Sequence, residues 1–349
     1  MTHDVKAGEV RKGHKPPRKR WAAVVLALMA PVIAEVGLGS VPLRMAFLVL
    51  LYIPIYGAGV VLIREAVRRF GGGWPSVLCL GFAYGLVEEG LALQSLTSPH
   101  LYHAVDWAPR LFGVNTAYTE LNLPYHMVFS VAIPIALVEL LFPKHGKTPY
   151  MGRFGLVVTG FIAVLGVGLL RVSVPPAQDP GYAVPSAAVI TILVLVVAAA
   201  VLALAVLPRR APPRPLSTHA VPRPLLVGAT SGVAAFGFLA LLFPFGGSKQ
   251  PFFTHGAMVF VPMAVAAAIA VLIGWSLRRW SRSTQWTPAH ALAAIGWALV
   301  AHNVFGIIAS TKTIADSVAL GALALATAVL LTAYARGLRP RTPIEPATS

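Results

Sequence analysis

Residues 185–215 read PSAAVITILVLVVAAAVLALAVLPRRAPPRP. The first 23 residues of this stretch carry no charge, and prolines and arginines follow at once. A helix rises 1.5 Å per residue, so about 20 apolar residues cross a hydrocarbon layer about 30 Å thick. Residues 185–207 therefore read as a membrane span. The basic stretch behind it reads as the return to water.

The same alternation runs along the whole chain. Of 349 residues, 57% are hydrophobic and 11% are charged, and mean hydropathy is +0.74. Soluble domains average about 25% charged residues, so this composition belongs to a polytopic membrane protein. The pattern predicts an all-α bundle of about ten spans, at 21–39, 45–64, 74–96, 122–142, 153–172, 185–207, 224–244, 255–277, 288–309 and 316–335. They group into a basic tail 1–20, six helices over 21–207, a Pro/Arg-rich linker 208–223, four helices over 224–336 and a tail 337–349. The linker is the expected hinge between the halves, and the halves show no persuasive internal repeat.

The net charge of +16 is no sign of nucleic acid, because the basic residues sit in short clusters between apolar runs. Under the ten-span topology, 23 of the 28 lysines and arginines fall on one side. Positively charged loops stay in the cytoplasm, so both termini are expected there and the chain in the plasma membrane. One cysteine, Cys79, excludes an intrachain disulfide and a multi-cysteine metal site. The long loop 97–121 carries Tyr102, Trp107, Phe112 and Tyr118 and reads as an outer interfacial segment; its sharper alternative is a lid.

Twelve acidic residues are present, and Glu35, Glu88, Glu89 and Glu139 fall inside apolar runs. A charge at the bilayer centre costs at least about 2.5–3.5 kcal/mol and usually marks a functional interior. Glu88 lies about 21 Å along its span, in the outer half, and Glu35, His126 and His302 fall at similar levels. His255 begins another span from outside. In GFAYGLVEEGLALQSL (81–96), Gly81, Gly85 and Glu89 form one stripe, which predicts a close helix contact at Glu89. Glu88 is expected to turn away from it. Glu65 is expected to pair with Arg68 and Arg69, and Glu139 to snorkel toward the cytoplasmic interface.

The order Glu88–Glu89, His126, then His302–Asn303 resembles the CPBP family of CAAX-protease and bacteriocin-processing intramembrane endopeptidases. Leu93, Asn122, Ala298 and Gly306 depart from that family's patterns. The resemblance implies a metal-dependent intramembrane hydrolase. Glu88 and Glu89 would then supply base and ligand, Asn303 would steady an oxyanion, and Glu89, His126 and His302 would hold a metal such as zinc, if one binds. The stretches PVIAEVGLGS (31–40), VLIREAVRRFGGGW (61–74) and GLVEEGLALQSL also resemble uncharacterised multipass proteins of high-GC bacteria.

Two other classes fit the residues. A proton- or cation-coupled permease would use Glu88 or Glu89 as the titrating carrier with Glu35 on its path. A non-enzymatic membrane component would use the same groups only to lock helices. The expected surroundings are the lipid bilayer and no nucleic acid; substrate and oligomeric state are not encoded in any motif, and no nucleotide-binding motif occurs.

Overall fold

A computed structural model describes residues 18–102, 109–210, 216–243, 253 and 256–337. His255, His103, Trp107, the outermost parts of both tails and residues 211–215 of the linker lie outside the described residues.

The described chain is helical, as its long apolar runs require. In order these are α1 (Arg18–Pro31, continued by a π-helical turn Val32–Val36), α2 (Leu43–Arg69), α3 (Trp74–Gly85, continued by a π turn Leu86–Ala92) and α4 (Thr116–Leu141). Then come α5 (Arg153–Gln178), α6 (Ser186–Val206), α7 (Pro224–Leu242), α8 (Gly256–Trp280), α9 (Pro288–Ala309) and α10 (Ile314–Gly337). Among the described residues, eight helices, α2 and α4 to α10, are long and apolar enough to cross a membrane. The remaining two expected spans correspond to α1 and α3, which are shorter α segments extended by π turns.

The helices sort by exposure. In α4, 67% of the most apolar window is buried, against 11% in α5 and α6. Apolar side chains such as Phe154, Phe161, Ile190 and Val194 face outward, as lipid contact requires. Thus α4 is the central post. One core gathers Leu26, Val60, Val77 and Ile135. A second joins Tyr125 and Phe129 of α4 to Leu239 and Phe305 of α7 and α9, so a core runs across the 208–223 boundary. Within that linker, Ser217 pairs with the connection after α8: its N–H donates to Arg282 O, and its carbonyl accepts from Thr284 N–H, both at 2.9 Å.

Glycines set the closest approaches. A Cβ on Gly81 would lie 3.0 Å from Met127 Cα, and one on Gly85 would lie 3.3 Å from His126 Cβ. The glycine stripe of α3 therefore packs on α4 beside His126, as its spacing predicts.

Helix α4 begins at Thr116, six residues before the expected start. Asn115 is the reason: its Oδ1 accepts the Tyr118 N–H at 2.9 Å and caps the helix. A short hairpin, β1 (Arg110–Leu111) with β2 (Val114–Asn115), leads into that cap. Tyr118, expected in an interfacial loop, is buried in the first turn of α4. Phe112 at the hairpin tip is 96% exposed. Asn115→Ala is expected to lower unfolding stability by about 1 kcal/mol, read as an earlier thermal transition in detergent micelles; an unchanged transition would remove the cap from this account.

At the far end of α2 the acidic residues are paired differently from expectation. Glu65 does meet Arg69 at 3.3 Å. Arg68 instead grips Glu139 of α4 through two nitrogens, at 2.9 and 2.6 Å. Glu139 is therefore held in an interhelical pair rather than snorkelling. Fully buried Arg64 lies between them, 3.3 Å from each carboxylate, with its guanidinium 3.3 Å above the Tyr150 ring.

Candidate functional site

Four π turns meet at one place. Glu35 lies in Val32–Val36, Tyr56 in Ile53–Gly57, Glu88 and Glu89 in Leu86–Ala92, and His126 in His126–Ala132. The sequence explains three of them. Pro31 precedes the first turn, Pro54 lies in the second, and Pro124 precedes the last. A proline has no N–H to give the carbonyl four residues back, so the local pairing shifts. The third turn has Gly85 at its entry and Gly90 inside it. Single π turns in α-helices gather at functional sites.

The imidazole of His126 is at the centre. Its Nε2 lies 2.9 Å from Glu89 Oε1, and its Nδ1 lies 3.3 Å from Glu88 Oε2. The Nδ1 hydrogen-bond direction is taken by Ser130 Oγ at 3.0 Å. The expectation that Glu88 turns away from Glu89 is therefore overturned: both carboxylates reach opposite nitrogens of one ring. Both glutamates lie in one π turn, whose wider i→i+5 pairing departs from the α-helical step on which that expectation rests. Glu88 and Glu89 are 2% and 4% exposed.

Hydroxyls complete the cluster. Glu89 Oε2 accepts from Tyr118 Oη at 2.8 Å and from Ser95 Oγ. Glu35 accepts from Tyr56 Oη and, at 2.8 Å, from Ser40 Oγ. The Tyr56 and Tyr84 rings stand 6.2 and 5.7 Å from the His126 ring. Two buried polar atoms, Glu88 Oε2 and Tyr84 Oη, have no hydrogen-bond partner. Among the described residues no lysine or arginine makes an ion pair with Glu35, Glu88 or Glu89.

His302 and Asn303 form a separate brace. Tyr125 Oη donates to the Ala34 carbonyl at 2.5 Å and lies 3.0 Å from His302 Nε2. The hydroxyl proton is committed to Ala34, so Nε2–H donates and the histidine tautomer follows. The ring stacks on Phe129 at 4.4 Å. The Asn303 amide nitrogen reaches the carbonyls of Gly37 and Leu299 at 3.1 and 3.2 Å. This brace fastens α9 to the segment around Glu35. Tyr125 stands between the two histidines, with its ring 5.6 Å from each.

The structure thus gathers Glu88, Glu89 and His126, with Glu35 beside them through Tyr56, and engages His302 and Asn303 elsewhere. Among the described residues, no group of three or more His, Cys, Asp or Glu side chains is arranged to hold a metal ion. Sequence reasoning missed Tyr56, Tyr84, Tyr118, Ser95 and Ser130. A signal existed. Tyr56 and Tyr84 lie inside apolar runs, far from the interfacial belts where tyrosine is usual, and a buried tyrosine hydroxyl needs a partner.

A family model described as an uncharacterized membrane protein family matches residues 24–337. No curated protein and no solved structure matches the chain.

Proposed function

The chain belongs to an uncharacterized membrane protein family, and for this member we propose that the Glu88–His126–Glu89 cluster is a reversible proton-loading site in a proton- or cation-coupled permease. One observation carries the reading: a single imidazole lies between two buried carboxylates, bonded to Glu89 at 2.9 Å and 3.3 Å from Glu88, with a third at Glu35 one tyrosine away. One imidazolium balances at most one of three carboxylates. Neighbouring carboxylates in a low-dielectric site do not all ionise without a cation, so protons or a cation must join the set. Loading and unloading such a site is the work of intramembrane carboxylates in pumps and carriers. Ten spans, counting α1 and α3, with both termini cytoplasmic in the plasma membrane, is the topology we place around it; the 23 basic residues on one side support it.

The hydrolase reading retains one supporting contact, the 2.9 Å bond between Glu89 and His126, the geometry of a carboxylate orienting a general base. It has His302 bonded to Tyr125 rather than to that pair.

Infrared difference spectra of the full-length protein in lipid nanodiscs, titrated between about pH 5 and 8, test the permease reading. The expected result is a protonated-carboxyl band that titrates in the native protein and is removed or shifted by Glu88→Gln. A band that titrates identically in Glu88→Gln and Glu89→Gln would overturn it.

A further inference from the structure

The surroundings of the carboxylates are unusual in one respect. Of the nine tyrosines in the chain, six (Tyr52, Tyr56, Tyr84, Tyr102, Tyr118 and Tyr125) assemble around the cluster. Tyr52 meets Tyr56 edge-on at 6.0 Å, and Tyr56 meets Tyr84 at 5.9 Å. Tyr102 stacks on Tyr118 at 6.4 Å, and Tyr118 holds Glu89. The carboxylates are thus bordered by a run of aromatic rings.

Two buried groups at this place lack a hydrogen-bond partner, Glu88 Oε2 as an acceptor and the Tyr84 hydroxyl. Tyr84 and Glu88 are each more than nine-tenths buried. A small inorganic cation is normally caged by six or more oxygens, or by several histidines and carboxylates. A carboxylate backed by tyrosine faces is instead the chemistry that recognises an ammonium group, because the negative faces of the rings attract a diffuse positive charge.

We propose that the substrate of this site is a small organic ammonium cation, held by Glu88 among the faces of Tyr56, Tyr84 and Tyr102. The assignment rests on the permease reading above and adds the substrate class to it. Entry is from the side of Tyr102. This residue lies beyond the end of α3 with φ 55°, and it is 41% exposed. Its hydroxyl is held well above the ordinary tyrosine range, first by burial and then by the charges of Glu89, Glu35, Tyr52 and Glu88. Its ring stacks on Tyr118, which holds Glu89, while part of the residue meets solvent.

The test is calorimetric titration of tetramethylammonium chloride and of ethylammonium chloride into the full-length protein in lipid nanodiscs, with sodium chloride as the control. The expected result is saturable binding of at least one ammonium. Glu88→Gln is expected to weaken it by about tenfold and Tyr102→Ala by several-fold, the range set by a lost charge contact or ring face. Melting temperatures of all variants separate lost binding from lost fold. No saturable heat with either ammonium, or equal binding of sodium, overturns the assignment, as does unchanged binding in a folded Glu88→Gln. A titrating carboxyl band with no ammonium binding would remove the substrate class and leave the proton site; loss of both would remove the two together.

Discussion

Replacing His126 with leucine is expected to destabilise the protein by about 3–5 kcal/mol, the usual cost of removing one partner from a buried charged set. The imidazole is bonded to Glu89 and lies 3.3 Å from Glu88, and both carboxylates are almost fully buried. Magnitudes distinguish the possible causes. An interhelical hydrogen bond in a bilayer averages about 0.6 kcal/mol, so a loss of several kcal/mol identifies stranded carboxylates rather than missing hydrogen bonds. The triple variant His126→Leu/Glu88→Gln/Glu89→Gln is expected to recover much of the loss, because it strands no charge. Denaturant unfolding in mixed micelles measures both. A single variant as stable as the native protein, or a triple variant worse than the single, contradicts a charge-gripped histidine.

The second large effect is expected at Arg64. Its side chain is fully buried and donates to the carbonyls of Thr148, His145 and Gly146 at 3.0–3.1 Å. It also lies against Glu65 and Glu139 and over Tyr150. Arg64→Met would leave three carbonyls and two carboxylates short of a donor; Arg68 and Arg69 still hold the carboxylates in part. A cost of about 3–5 kcal/mol is expected. Arg64→Lys is expected to fall between, since an ammonium offers three donors and no planar face to stack on the ring. Limited proteolysis of the 143–152 connection provides a local readout, with cutting expected to rise in the order native, Lys, Met. Equal cutting in all three would mean that Arg64 does not fasten this connection.

This end of α2 also shows how far local sequence logic reaches. The i,i+4 rule finds Glu65 with Arg69. It does not find Arg68 with Glu139, 71 residues away, because helical spacing says nothing about which neighbour comes to rest alongside. The glycine stripe of α3 carries more information. It places Glu89 at a close contact, and the contact is there, but nothing in the stripe says that the opposing residue is His126.

The same division holds for the protein as a whole. Sequence alone determines that the chain is a multipass membrane protein, that glutamates fall inside its apolar runs, and that α3 is packed tightly at Glu89. Those are consequences of composition, of length against bilayer thickness and of small-residue spacing, and each is local along the chain. Tertiary structure decides which groups meet. It brings Glu88 and Glu89 to opposite nitrogens of His126, sets His302 and Asn303 apart as a brace and supplies the tyrosines. The physical reason is the π turns. Each changes the angular register of its helix by a fraction of a turn, and that fraction settles whether a residue inside an apolar run faces the cluster or faces away. Membership of an apolar run follows from counting residues; facing follows from the packing of helices against α4.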